Sequence, residues 1–229
     1  MNLDHTFLSV VLCGACAVAQ TQDGGAQGRG AQHREKTGGD AQMYRNASHG
    51  FTYKTPFGWV DRTKEMRELA ADSSARGNSG TADADAKKAE VGPSAKASSG
   101  EVLLAVFERP PDAPGDSVNS AVLIASESAA SYPGLKKAED YLGPLTELAT
   151  AKGFKAVGDP DVITIDAHEL VRVDFSKTLP GKTTDDKLIM NQSTLVLLSK
   201  GQILSFTFIA GSEDEVDDLI EGLHFGAGR

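Results

Sequence analysis

TLVLLSKGQILSFTFI, Thr194 to Ile209, is the stretch that decides the fold. Two apolar runs flank the polar link Ser199-Lys200-Gly201-Gln202, and in the second run Leu204, Phe206 and Phe208 recur at every other position. That period belongs to a strand with one face buried. The link places Gly where a positive φ costs little, so the two runs close as an antiparallel hairpin.

Outward from this hairpin the pattern continues. Upstream, Val171, Val173 and Phe175 alternate with Arg172, Asp174 and Ser176, and Val162 to Ile165 gives the strand before them. Downstream, Ser212 with Glu215 forms a capping box, opening a helix whose apolar stripe is Val216, Leu219, Ile220 and Leu223. Val102 to Phe107 and Ala121 to Ala125 are near-continuous apolar runs of strand length, bounded by Pro, Gly and Asp. Leu135 to Lys152 reads as helix, with Leu135, Ala138, Leu142, Leu145 and Ala149 on one stripe; Gly143-Pro144 kinks it or starts its main segment. Asp61 caps a short helix through Ala71, and Phe51-Thr52-Tyr53 with Pro56 and Trp59 reads as strand, turn and aromatic anchor. Strands joined by short turns, with the helices kept apart, predict an α+β fold: an antiparallel sheet flanked by helices, an α/β/α sandwich. A doubly wound sheet needs more crossover helices than this.

The chain has 229 residues, 40% hydrophobic and 24% charged, an ordinary globular balance. Its longest apolar run, Phe7 to Ala19, is too short for a bilayer core of roughly 30 Å and ends in Ala17-Val18-Ala19. It reads as a signal peptide over residues 1–19, with Asp4 and His5 in place of the usual basic start. Both cysteines, Cys13 and Cys16, lie inside it. Cleavage before Gln20 predicts a periplasmic or secreted protein; lipid attachment at Cys16 is the alternative and would anchor it to the outer face of a membrane, although Cys13 stands where a lipobox has Leu. Either way the folded part carries no disulfide and depends on its apolar core. Residues 20–42 hold no hydrophobic larger than Ala and read as a disordered tether. Residues 73–100, rich in Ser, Ala, Gly and Lys, read as a disordered insert within a single domain spanning 43–226. Loss of the first nineteen residues removes one acid, Asp4, and takes the formal net charge from −9 to −8. That sign disfavours nucleic acid and anionic lipid as partners.

The stretch Phe51-Thr52-Tyr53-Lys54-Thr55-Pro56-Phe57-Gly58-Trp59 resembles the opening of PsbP-like domains, a glycine-aromatic start followed by P-x-x-W. The later layout is similar too: a mid-chain helix, antiparallel strands ending in Ile203-Leu204-Ser205-Phe206-Thr207-Phe208, then a C-terminal helix. The resemblance covers roughly Tyr44 to Phe225, and the 73–100 insert departs from it. The family includes photosystem extrinsic subunits, a Ran-binding import factor and bacterial envelope proteins. It implies a small, cofactor-poor domain engaged in protein contacts, and assigns no residue a role here.

Chemistry-bearing motifs fall away one by one. Gly181-Lys182-Thr183 ends like a phosphate loop, but Ser176 stands where that loop needs Gly, and a strand follows instead of a helix. The acidic run Glu213-Asp214-Glu215 with Asp217, Asp218 and Glu221 lies on a helix whose dipole favours it, not on a calcium loop. His5, His33, His49, His168 and His224 show neither helical zinc spacing nor an acidic neighbour, and no G-x-S-x-G elbow exists. No catalytic, cofactor-binding or metal-binding residue is expected. Tyr53, Phe57 and Trp59 are expected in the core rather than on a binding platform. The sequons at Asn46 and Asn191 are set aside because the Ala-x-Ala signal end is of bacterial type. Two stiff loops remain as a candidate partner surface: Arg109-Pro110-Pro111 and Tyr132-Pro133. The expected function is a non-catalytic, protein-binding or accessory domain of the cell envelope; the alternative is a small-ligand carrier or hydrolase using a cleft between sheet and helices.

Overall fold

The computed structural model describes residues 42–77, 100–111, 113, 115–181 and 187–226. Ten strands and three α-helices occur among them: β1 (Met43–Asn46), β2 (Phe51–Lys54), β3 (Val60–Asp61), α1 (Thr63–Gly77), β4 (Glu101–Phe107), β5 (Ala121–Ser128), α2 (Leu142–Ala151), β6 (Lys155–Ile165), β7 (His168–Pro180), β8 (Lys187–Ser199), β9 (Gln202–Ala210), α3 (Glu213–Ile220) and β10 (Leu223–Phe225). Two 3₁₀ turns, Ala129–Ser131 and Ala138–Tyr141, lie between β5 and α2.

The quoted hairpin is β8–β9, with Ser199 opposite Gln202 and both Lys200 and Gly201 at positive φ. It is the middle of a seven-stranded antiparallel sheet ordered β3-β4-β5-β9-β8-β7-β6. A second sheet, β1-β2-β10, is also antiparallel. The large sheet is covered on both sides, which is why β5 is buried from Ala121 through Glu127 and reads as a continuous apolar run. On one face Met66 and Ala70 of α1 and Leu145, Leu148 and Ala149 of α2 pack over Phe107, Leu123, Val173 and Phe175. On the other, Phe51, Tyr53 and Phe225 of the small sheet and Val216, Leu219 and Ile220 of α3 pack over Leu104, Ile124, Phe206 and Phe208. The fold is α+β as expected, with one outer layer mixed rather than purely helical.

Three boundaries move. Helix α1 continues through Gly77, so the first residues of the expected insert are helical; residues 78–99, the rest up to Gly100, lie outside the described residues, as do the signal peptide, Cys13, Cys16 and nearly all of the tether. The expected 135–152 helix is α-helical only from Leu142, after the 3₁₀ turn Ala138–Tyr141; of the two outcomes expected of Gly143-Pro144, it starts the main segment, in whose first turn Pro needs no donor. The last helix stops at Ile220, and Leu223 enters β10 instead.

Side chains from α1 complete the sheet edge. The ladder between β4 and β5 shifts register between Val102 and Leu104. Arg67 donates to the Val102 carbonyl at 2.6 Å, where the bulge interrupts regular pairing. Asp61 Oδ1 accepts the Thr63 N–H at 2.8 Å, giving α1 the start expected of it. At the opposite edge β6 is exposed along most of its length, and its pairing with β7 shifts between Val157 and Asp161, around Gly158-Asp159-Pro160.

Candidate functional site

The β4–β5 loop is braced from within. Asn119 spans the loop in both directions: its Oδ1 accepts the Arg109 N–H at 3.0 Å and its Nδ2 donates to the Arg109 carbonyl at 3.1 Å. The Arg109 guanidinium donates to the Ser117 hydroxyl at 2.9 Å and to the Ser117 carbonyl at 2.8 Å. Gly115 makes room for it, since a Cβ there would lie 2.5 Å from Arg109 Cζ. Arg109, expected as a contact residue, is thus the brace, while Pro110 is exposed and Pro111 half-buried on the loop it holds.

The Pro56–Trp59 turn lies at the same end of the sheet. Val60 pairs with Phe107, so the turn before β3 and the loop after β4 leave the ladder side by side. The three aromatics expected in the core divide here. Tyr53 is buried with its hydroxyl donating to the Leu219 carbonyl at 3.2 Å, Trp59 packs half-buried on the small-sheet side, and Phe57 is 72% exposed.

Tyr132 and Pro133 do not join this surface. They follow β5 at its other end, roughly 23 Å away at a strand's rise per residue. Pro133 is exposed. Tyr132, expected to project outward, turns inward: its hydroxyl donates to Glu127 Oε2, and its ring meets Tyr141 edge-on at 5.1 Å. Tyr141 donates to Glu127 Oε1 at 2.8 Å. Burial, reinforced by the Glu127 carboxylate, pushes both phenols well above their ordinary range. Glu127 was not singled out by sequence, since it lies two residues past the apolar run Ala121 to Ala125, and its two partners come from a segment whose folding the sequence did not show.

Other charged groups also pair with one another. A cleft of about 110 Å³ lies between α3 and the β7–β8 strands, lined by Arg172, Asp174, Asn191, Glu213 and Asp217 among others. Arg172 meets Asp174 at 3.0 Å and Asp217 at 2.9 Å. Burial opposes its charge, but the two carboxylates prevail and raise its pKa. In the acidic run, Glu215 is a clamp, accepting from Ser120 Oγ at 2.7 Å and Gly211 N–H at 3.2 Å, while Ser212 caps as expected.

The histidines need one correction. His224 does have an acidic neighbour: Asp166 Oδ2, 58 residues away, lies 3.3 Å from its Nδ1 and accepts the Phe225 N–H at 3.0 Å. The tight Asp166-Ala167 turn, both residues at positive φ, brings that carboxylate to β10. His168 stacks on Phe225 at 4.5 Å. His5 and His33 lie outside the described residues, and among those described no group of three or more His, Cys, Asp or Glu is placed to hold a metal ion. Gly181 leads from one strand of a hairpin toward the other, Pro180 facing Lys187, rather than from strand to helix. The second sequon lies inside β8 with Ser193 fully buried. No helix among the described residues is long and apolar enough to cross a membrane.

No known protein family and no curated protein matches the sequence. Among solved structures, the chain is similar to cyanobacterial PsbP from Synechocystis sp. PCC 6803, at 14% identity over 86% of this chain and 98% of that one, TM-score 0.40. It is similar to LpqN of Mycobacterium tuberculosis, involved in cell envelope biogenesis, at 14% identity over 58% and 88%, TM-score 0.32. A protein of unknown function from Pseudomonas aeruginosa shows 17% identity over 58% and 82%, TM-score 0.33. The resemblance to PsbP-like domains read from Phe51 to Trp59 thus has a counterpart among structures.

Proposed function

We propose that this chain is an exported accessory domain of the cell envelope that acts by binding another protein, through the sheet end formed by the Pro56–Trp59 turn and the Arg109-Pro110-Pro111 loop. The observation that carries the reading is Phe57, a large apolar side chain 72% exposed beside a loop already braced by Arg109 and Asn119. A pre-ordered loop loses little entropy on docking, and a buried aromatic anchor typically contributes about 2 kcal/mol or more. The alternative reading, a carrier or hydrolase with a cleft between sheet and helices, meets a cleft of about 110 Å³. Small-molecule sites run to several hundred Å³, and the guanidinium in this one is already paired with two carboxylates.

The test is capture from envelope extract, read by mass spectrometry, with the wild-type domain beside a Phe57→Ala/Pro110→Ala variant shown to be folded. A partner retained by the wild type and lost by the variant supports the reading. Equal retention removes this surface; turnover of a substrate that vanishes in a folded Arg172→Ala variant replaces the binding reading with the alternative. Export is tested separately by N-terminal sequencing of the mature protein. A start at Gln20 marks cleavage, an acylated Cys16 marks a lipoprotein, and an intact Met1 excludes both.

A further inference from the structure

We infer that the segment from Ala129 to Tyr141 is a strap that opens as one unit, with Glu127 as its latch. No residue of the strap belongs to either sheet. Its backbone bonds from Tyr132 to Ala129, Leu135 to Tyr132 and Asp140 to Lys137 run within the strap, and Ala129 N–H ties its first residue to Gly201. Asp140 stiffens the second half by accepting from the Lys136 and Lys137 N–H groups. Ala129, Tyr132, Leu135 and Ala138 pack on the helix-covered core while remaining half-buried. Tyr141, at its end, is the fully buried member; segments held mainly by short local bonds over partly buried side chains open at lower free energy than ladder strands.

Both ends of the strap close on one group. Tyr132 near its start and Tyr141 at its end donate to the two oxygens of one carboxylate, and that carboxylate is 5% exposed at the end of β5. Bonds to an ionised acceptor are the strong ones, and a carboxylate shared by two phenols is held in place by both. The two ends are therefore coupled: releasing either loosens the hold on both. Gly134, at φ +95°, supplies a bend between the halves, and Gly143-Pro144 lies just beyond the second. In the closed form Tyr132 faces the core while Pro133 is exposed, so of the Tyr132-Pro133 contact expected from sequence the aromatic ring is presented only when the strap lifts.

Hydrogen–deuterium exchange of the full domain tests this, comparing wild type with Glu127→Gln and Tyr132→Phe. Both variants are expected to raise exchange across the whole of 129–141, including the Lys136–Tyr141 half remote from position 132, by roughly tenfold or more, with β9 left at its wild-type rate. A rise confined to residues beside Tyr132, or none, overturns the coupling. Should Glu127→Gln perturb the whole domain, Tyr132→Phe decides: an equal rise in β9 and the strap overturns the proposal, because the strap then opens only with the fold.

Discussion

The two faces of the large sheet are built on different terms. Under the small sheet the contact layer is aromatic: Phe51 meets Phe206 edge-on at 5.2 Å, Phe206 meets Phe225 at 5.8 Å, and Tyr53 lies 6.2 Å from Phe208. Under the helices the same strands present a polar row, in which Gln192 donates to Thr194 at 3.3 Å and Thr194 lies 3.2 Å from Thr207. Gln192 Oε1 is buried there without a hydrogen-bond partner among the described residues. Apolar area and ring geometry stabilise the first face directly. Buried polar groups recover little more than their desolvation cost on the second, while fixing which residues face each other. Both faces bury an apolar core; the small-sheet face adds the aromatic layer, and the helix face adds the polar row, the strap and its latch.

The heaviest blow to this contrast comes from Phe206→Ala. It is expected to cost about 3–5 kcal/mol in chemical denaturation; a loss below about 2 kcal/mol would mean the aromatic layer is not the stable half. Alkaline titration bears on both faces at once. Tyr53, Tyr132 and Tyr141, three of the four tyrosines, have phenol pKa values raised by burial. The unfolded phenol titrates near about 10, so above that pH the folded state holds more protons. Their contribution is present in full below the unfolded value and is lost as pH rises through the folded ones. Phenolate absorbance should therefore lag at high pH and rise together with unfolding; three independent ordinary titrations would contradict the burial. Gln192→Met is expected to change stability by less than about 1 kcal/mol, because it removes a half-satisfied amide along with its one bond to Thr194. A loss above about 2 kcal/mol would make the polar row a stabilising element. The smallest effect is a gain: Ala167→Gly should add up to about 1 kcal/mol by relieving a positive φ that a Cβ disfavours.

What the sequence disclosed follows the same division. The β8–β9 hairpin, the alternation in β7 and the capped α3 were legible because period and turn chemistry are local. Strands β1 and β10 were not: at four and three residues they exist by pairing with β2, a contact between the two ends of the domain. The second half of the strap, from Leu135, was read as part of a helix because Leu135, Ala138 and Leu142 have helical spacing, while Tyr132-Pro133 was read as a stiff loop. Tertiary bonds to Glu127 override that spacing, and nothing local to 135–142 announces them. Of the candidate surface, Pro110 is exposed and Pro111 half-buried. The bracing role of Arg109 was not legible, because its partners Ser117 and Asn119 lie across the loop. Phe57 was assigned inward because aromatics at turns usually are, and only its neighbours' geometry reverses that.

The irregularity in β6 has a consequence for fibre growth. An open sheet edge is a template on which further chains can stack without limit. Here Gly158 stands at positive φ and Pro160 offers no N–H, so an incoming strand loses register partway along. It finds continuous template only from Asp161 to Ile165, shorter than the six- or seven-residue segments from which cross-β stacks are built. The β6 edge is thereby a self-terminating template, which lets the chain leave that edge uncovered at high concentration without its nucleating a stack.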